Sequence, residues 1–111
     1  MADDRVVASV KKYLGVLRAE HGVDTHAAVL FGSYARGEAD EWSDIDLVVL
    51  AGRFDKGIER GDVDLLWWVA ARTDSRIEPI PCGVRQWDED QSSAIIEIAR
   101  REGQVIVPDA A

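Results

Sequence analysis

The chain has 111 residues, 47% hydrophobic and 31% charged, which suits a single domain over residues 1–111 with one core. Its formal net charge of −8 argues against nonspecific binding to nucleic acid, which needs a basic surface, and no apolar run approaches the length of a membrane span. The first residues lack the basic region and apolar core of a secretion signal, and Cys82 is the only cysteine, so no internal disulfide forms and a reducing cytoplasm is the expected location.

Residues 3–20 read as a first helix, capped by Asp3 or Asp4. Val6, Val10, Leu14 and Leu17 give it one apolar stripe. Gly22 is placed to end it as a left-handed cap, with His21 complementing the helix dipole. Residues 25–31 read as a strand, with His26 partly exposed. Gly32-Ser33 then turns the chain, and Tyr34-Ala35-Arg36 starts a short helix with Ser33 as its cap.

A polar loop, 37–43, follows, in which Asp40 and Glu41 are solvated and Trp42 is expected to pack. Residues 45–50 form a second apolar strand and 51–57 a turn-rich connection. A helix is predicted over 62–72, with Asp62 as N-cap. Its core face is Val63, Trp67 and Ala70, extended by Leu66 and Val69. The neighbouring Trp67 and Trp68 cannot both face the core from one stripe, so one marks a partner surface.

Residues 76–81 read as a third strand, and Pro79 and Pro81 restrict it to a sheet edge. Arg76, Glu78 and Ile80 point one way, Ile77 and Pro79 the other. A turn at 83–87 leads to a helix over 88–101, with Ala94, Ile95, Ile98 and Ala99 on its apolar side. A short strand over 104–107 closes the chain. Cys82 is not expected to be a nucleophile, since neither His21 nor His26 has a sequence reason to lie beside it.

The chemistry concentrates between Phe31 and Leu50. Gly32 permits close approach of the backbone to a ligand. Ser33 adds a hydroxyl at a helix N-terminus, where free N–H groups favour phosphate. Asp44 and Asp46 are two apart on a strand, so their carboxylates share a face and repel. Mg2+ would relieve that repulsion, and it prefers oxygen ligands. Phosphate on one side and Mg2+ on the other suggest a nucleoside triphosphate.

At these residues the chain resembles the polymerase-β-like nucleotidyltransferases, whose signature is a Gly-Ser pair, here Gly32-Ser33, ten residues, then Asp-x-Asp, here Asp44-x-Asp46. The form Gly-Ser-Tyr-Ala-Arg-Gly over 32–37 and the short length look like the minimal nucleotidyltransferase branch, many of whose members are antitoxin partners of helical HEPN toxins. The resemblance runs from about the first strand to the C-terminus. It implies an α/β fold of the α+β kind, a small mixed sheet packed by helices.

It also implies transfer of NMP, from ATP as donor, to a hydroxyl, with a tyrosine of the cognate toxin as the leading acceptor. Two Mg2+ ions serve the reaction in the family, which assigns Asp44 and Asp46 as catalytic metal ligands and Gly32 and Ser33 to the nucleotide. A third acidic residue on a neighbouring strand completes the metal site there. Glu78 is the candidate, in the step Ile77-Glu78-Pro79, with Asp62 and Asp64 as rivals if 63–69 is a strand. Alternatively Glu78 is a surface glutamate paired with Arg76. Arg36 is either a phosphate contact or a salt-bridge partner of Glu38 or Asp40.

Two other functions stay open: an antitoxin that neutralises by binding alone, and a small-molecule adenylyltransferase acting alone or as a homo-oligomer.

Overall fold

A computed structural model describes residues 3–109. Helix α1 (Asp4–His21) leads to strand β1 (Thr25–Phe31), the short helix α2 (Ser33–Arg36) and strand β2 (Ile45–Ala51). A 3-10 turn (Gly52–Lys56), helix α3 (Arg60–Thr73), strand β3 (Ile77–Cys82), helices α4 (Val84–Glu89) and α5 (Ala94–Glu102) and strand β4 (Gln104–Ile106) follow. The strands form one mixed sheet in the order β3-β2-β1-β4. β1 is antiparallel to β2 and β4, and β2 is parallel to β3. β3 is thus an edge strand, as its prolines require.

β1 over 27–31 and β2 over 47–51 are continuous apolar runs because both faces of the sheet are covered there. On one face Ala28, Leu30, Ile45, Leu47, Val49 and Ile77 meet α1 and α3. On the other Ala27, Val29, Val48, Leu50 and Cys82 meet Ile96 and Ala99 of α5. The α1 stripe buries Val6, Val10, Leu14 and Leu17 as expected, and Tyr13 with them. The Tyr13 hydroxyl donates to the Leu66 carbonyl at 2.9 Å, which lets a phenol sit in the core. Asp3 caps α1 by accepting from the Arg5 N–H, and Gly22 ends it at φ 67°.

Several local expectations are corrected. Ser33 is the first residue of α2 and Gly32 its cap, since the Ala35 and Arg36 amides donate to the Gly32 carbonyl. Asp62 is not the cap of α3. It lies one turn inside, where its carboxylate accepts from the Glu59 N–H at 3.0 Å. The buried residues of α3 are Leu66, Val69 and Ala70. Trp67 and Trp68 are both exposed, at 46% and 52%, because the stripe that meets the sheet is centred a residue away from the predicted one.

The C-terminal helix is two helices. Asp90 accepts from the Ser92 and Ser93 amides, making a turn that breaks the run, and Ser93 caps α5 by accepting from Ile96 N–H. The segment expected to be a turn at 83–87 is instead the start of α4. Its first amides, from Val84, Arg85 and Gln86, donate to the Asp55 carboxylate. In α5 Ile96 rather than Ile95 joins Ala99 in the core, and Ile95 is exposed. Among the described residues no helix is long and apolar enough to cross a membrane.

Candidate active site

The end of β1 and the start of β2 meet at one rim of the sheet. The antiparallel register sets Phe31 opposite Asp46, and the parallel register sets Asp46 opposite Glu78. Asp46 and Glu78 share a sheet face, the one away from α1 and α3. Gly32, at φ 75° and ψ −153°, carries the chain off β1. A Cβ there would overlap Oδ2 of Asp46 and stand 3.2 Å from its Cγ. Glycine is required both by the conformation and by the room. Asp44 lies just ahead of β2 and is exposed.

The three carboxylates feel one another. Partial burial raises the Asp46 pKa first, the charge of Asp44 raises it further, and Arg36 opposes both. Glu78 is also pushed up by burial, then by the charges of Asp44 and Asp46 and a hydrogen bond with Asp44. Among the described residues none of the three takes part in a salt bridge. Arg76 does not pair with Glu78; it binds Asp74 at 2.6 Å. Arg36 is held by Glu38 at 3.2 Å and Glu102 at 3.0 Å, so Asp40 is not its partner.

Asp62 and Asp64 are on α3, which packs on the opposite sheet face, where they pair with Arg53 and Arg60. They do not join Asp44 and Asp46. Cys82 is buried, with its S–H on the Gly83 carbonyl, and burial pushes its thiol up to about 11, which leaves it inert. His26 is exposed. His21 meets the Trp68 ring edge-on at 5.6 Å.

Among the described residues no three acidic, histidine or cysteine side chains form a ready-made metal cage. The donor set nevertheless suits Mg2+, which is commonly held by one or two carboxylates together with substrate phosphates and water. The mutual repulsion of Asp44, Asp46 and Glu78 is the electrostatic condition that a divalent cation relieves.

Two features were not read from the sequence. Trp42 is 84% exposed rather than packed. Its amide donates to the Asp40 carboxylate at 2.9 Å, in a tight turn that points the indole outward. A cleft of about 600 Å³ opens beside α2, lined among others by Arg5, Val6, Tyr34, Asp40, Glu41 and Arg76. None of the three acids lines it.

The sequence profile of the nucleotidyltransferase domain matches residues 10–106. The chain belongs to the nucleotidyltransferase domain family. A Methanocaldococcus jannaschii protein, provisionally named a protein adenylyltransferase, is 38% identical over 55 residues, which is 49% of this chain. That stretch is 37% of the relative's length, so the chain spans well under two thirds of it.

The nucleotidyltransferase fold is shared with solved structures. One is a Sulfolobus solfataricus protein, provisionally named a nucleotidyltransferase, with TM-score 0.60 and 16% identity over 92% of this chain and 79% of that one. A toxin-antitoxin structure with AMP-PNP has TM-score 0.61 and 20% identity over 93% of this chain and 73% of that one. A mutant of the toxin-antitoxin pair MntA-HpeT gives TM-score 0.59 and 19% identity over the same shares, 93% and 73%. At these identities the likeness shows the fold.

Proposed function

We propose that this nucleotidyltransferase moves AMP from ATP, in the presence of Mg2+, to a hydroxyl of a partner protein, with a tyrosine of a helical HEPN-type toxin as the leading acceptor. The observation that carries the reading is the position of Asp46. It lies between the side-chain-free backbone of Gly32 and Glu78, with Asp44 beside it, and among the described residues none of the three acids is in a salt bridge. Family membership supports nucleotidyl transfer. The relative named as a protein adenylyltransferase and the fold neighbours from toxin-antitoxin pairs, one with AMP-PNP, support a protein acceptor and an adenine nucleotide.

In the proposed reaction the acceptor oxygen bonds to the α-phosphorus. The bond from that phosphorus to the oxygen bridging to the β-phosphate breaks, and pyrophosphate leaves with its electron pair. The acceptor proton passes to a site carboxylate or to water. When bound, Mg2+ neutralises charge on the phosphates and lowers the pKa of the attacking hydroxyl. Asp44, Asp46 and Glu78 would hold it. Gly32 and Ser33 would face the phosphates, and Arg36 would turn from Glu38 and Glu102 to reach them. The acidic chain fits a basic partner, and the exposed Trp67 and Trp68 offer it apolar surface.

Those tryptophans equally favour a second reading, neutralisation by binding alone. Mass spectrometry of the neighbouring gene's product, after incubation with this protein, Mg2+ and ATP, separates the two. AMP on a tyrosine of that product supports the enzyme. If Asp46→Asn neutralises the partner as well as wild type does, binding alone accounts for the biology.

A further inference from the structure

We propose that Arg76 is a positioning residue that fixes the three segments of the candidate site relative to one another, acting through the Tyr34 hydroxyl. Its guanidinium is engaged on two sides. Nε and one terminal nitrogen donate to the two oxygens of Asp74, at 3.0 and 2.6 Å. The Ser9 hydroxyl holds the same carboxylate from α1 at 2.8 Å. The other terminal nitrogen donates to the Tyr34 hydroxyl at 3.0 Å, and that hydroxyl donates to the Asp40 carbonyl at 3.1 Å.

Each link ends beside a different arm of the site. Tyr34 follows Gly32-Ser33 in α2, Asp40 lies in the loop that delivers Asp44, and Arg76 stands two residues ahead of Glu78. The Arg76 carbonyl also accepts from the Ile45 N–H at 2.8 Å, between Asp44 and Asp46. A forked Arg-carboxylate pair has a fixed geometry, and the Asp74 side chain is only 11% exposed, so the anchor is stiff.

The arrangement has two effects. Three acids without cations push one another apart, and the tie through Tyr34 restrains the loop that carries one of them. Engagement with Asp74 and Tyr34 also keeps the Arg76 charge off Glu78, which stays free to meet a cation. The second effect rests on the nucleotidyltransferase reading; the first does not.

The test compares Tyr34→Phe, which keeps the ring and loses both bonds, with Arg76→Lys, which keeps the charge and loses the fork. Ser9→Ala is the control, since it removes a bond to Asp74 on the α1 side and leaves the Arg76–Tyr34 link. Melting temperature, hydrogen exchange of the 38–44 amides, and affinity for Mg2+ with AMP-PNP are measured for each. Tyr34→Phe and Arg76→Lys are expected to exchange those amides, and to lose nucleotide affinity, by roughly tenfold. Ser9→Ala is expected to melt lower yet match wild type in both. Wild-type exchange at 38–44 in Tyr34→Phe overturns the positioning role, as does a Ser9→Ala loss as large as that of Tyr34→Phe. Failure of the wild-type protein to bind nucleotide overturns the functional reading instead, while the exchange data still decide the role of Arg76.

Discussion

The backbone of Gly32 lies directly against the carboxylate of Asp46, with no room between them for a methyl group. The Gly-Ser turn and the Asp-x-Asp strand are therefore two sides of one contact. The pairing of Phe31 with Asp46 in the sheet brings them together, and any shift in one moves the other.

Gly32→Ala tests that contact. The backbone there, at φ 75° and ψ −153°, lies in a region kept almost entirely to glycine and costs an L side chain about 1–3 kcal/mol, and the added methyl must displace Asp46. The variant is expected to melt several degrees lower and to lose transfer by about 100-fold, the effect of misplacing a reacting group by about 1 Å. Thermal melting and a nucleotide-transfer assay check this. Full activity in a folded Gly32→Ala protein would remove Asp46 from the chemistry.

Replacing both Asp44 and Asp46 with Asn is expected to abolish transfer while the fold survives, since neither side chain supports the core. The single change Asp46→Asn also carries a pH sign. The fold raises the Asp46 pKa, so the folded chain holds this proton more tightly than the unfolded one. Stability from the group is greatest at low pH and falls as pH rises through the raised value. At pH 7 without metal the ionised carboxylate is destabilising, and Asp46→Asn should melt a few degrees above wild type in chelator. A lower melting point there would contradict the electrostatic picture of the rim.

Ligand should reverse that burden. At a concentration 100 times its dissociation constant, a ligand that binds only the folded chain adds about 2.7 kcal/mol. Mg2+ with AMP-PNP is expected to raise the wild-type melting temperature and to leave the Asp44→Asn/Asp46→Asn protein where it was. Scans in chelator, in Mg2+ alone and in Mg2+ with nucleotide make the comparison. Equal shifts in both proteins would move the nucleotide site elsewhere.

Asp74 has the opposite sign. The hydrogen bond from Arg76 is the chief reason its pKa falls from 3.8 to about 2. Its contribution is present above about 4 and is lost as pH drops toward about 2. Asp74→Asn should therefore be less stable than wild type at pH 7, by an amount that shrinks across that acid window. Urea unfolding at pH 7, 4 and 2.5 measures it, and a difference independent of pH would mean that the ion pair is not its source.

Much of this was legible locally. α1, β1 and β2 each carry their own periodicity and their own stop signals, and the Gly-Ser and Asp-x-Asp positions follow from them. The prolines of β3 placed it at a sheet edge, whereas Glu78 was singled out by the family resemblance at the step Ile77-Glu78-Pro79, and its place opposite Asp46 follows from the β2–β3 register. What escaped depended on distant partners. The first turn of α4 is held by Asp55, 29 residues before Val84, so nothing in 83–87 announces a helix. Tyr13 joins the core because Leu66, from another helix, offers a carbonyl. The outward indole of Trp42 follows from an Asp40 turn whose geometry composition does not reveal, and the Arg76–Tyr34 link joins residues 42 apart.

The outer border of β3 has a bearing on how this molecule meets its surroundings. Alternate residues of a strand turn their amides to the same side, and here those residues are Ile77, Pro79 and Pro81. The Ile77 N–H is already taken by the Asp74 carbonyl, and the prolines have none to give. That border offers acceptors without donors, so a foreign strand laid along it finds half its ladder missing. Growth of the sheet into fibrils is blocked on the flank beside Glu78, and that flank stays clear for a visitor that is not a strand.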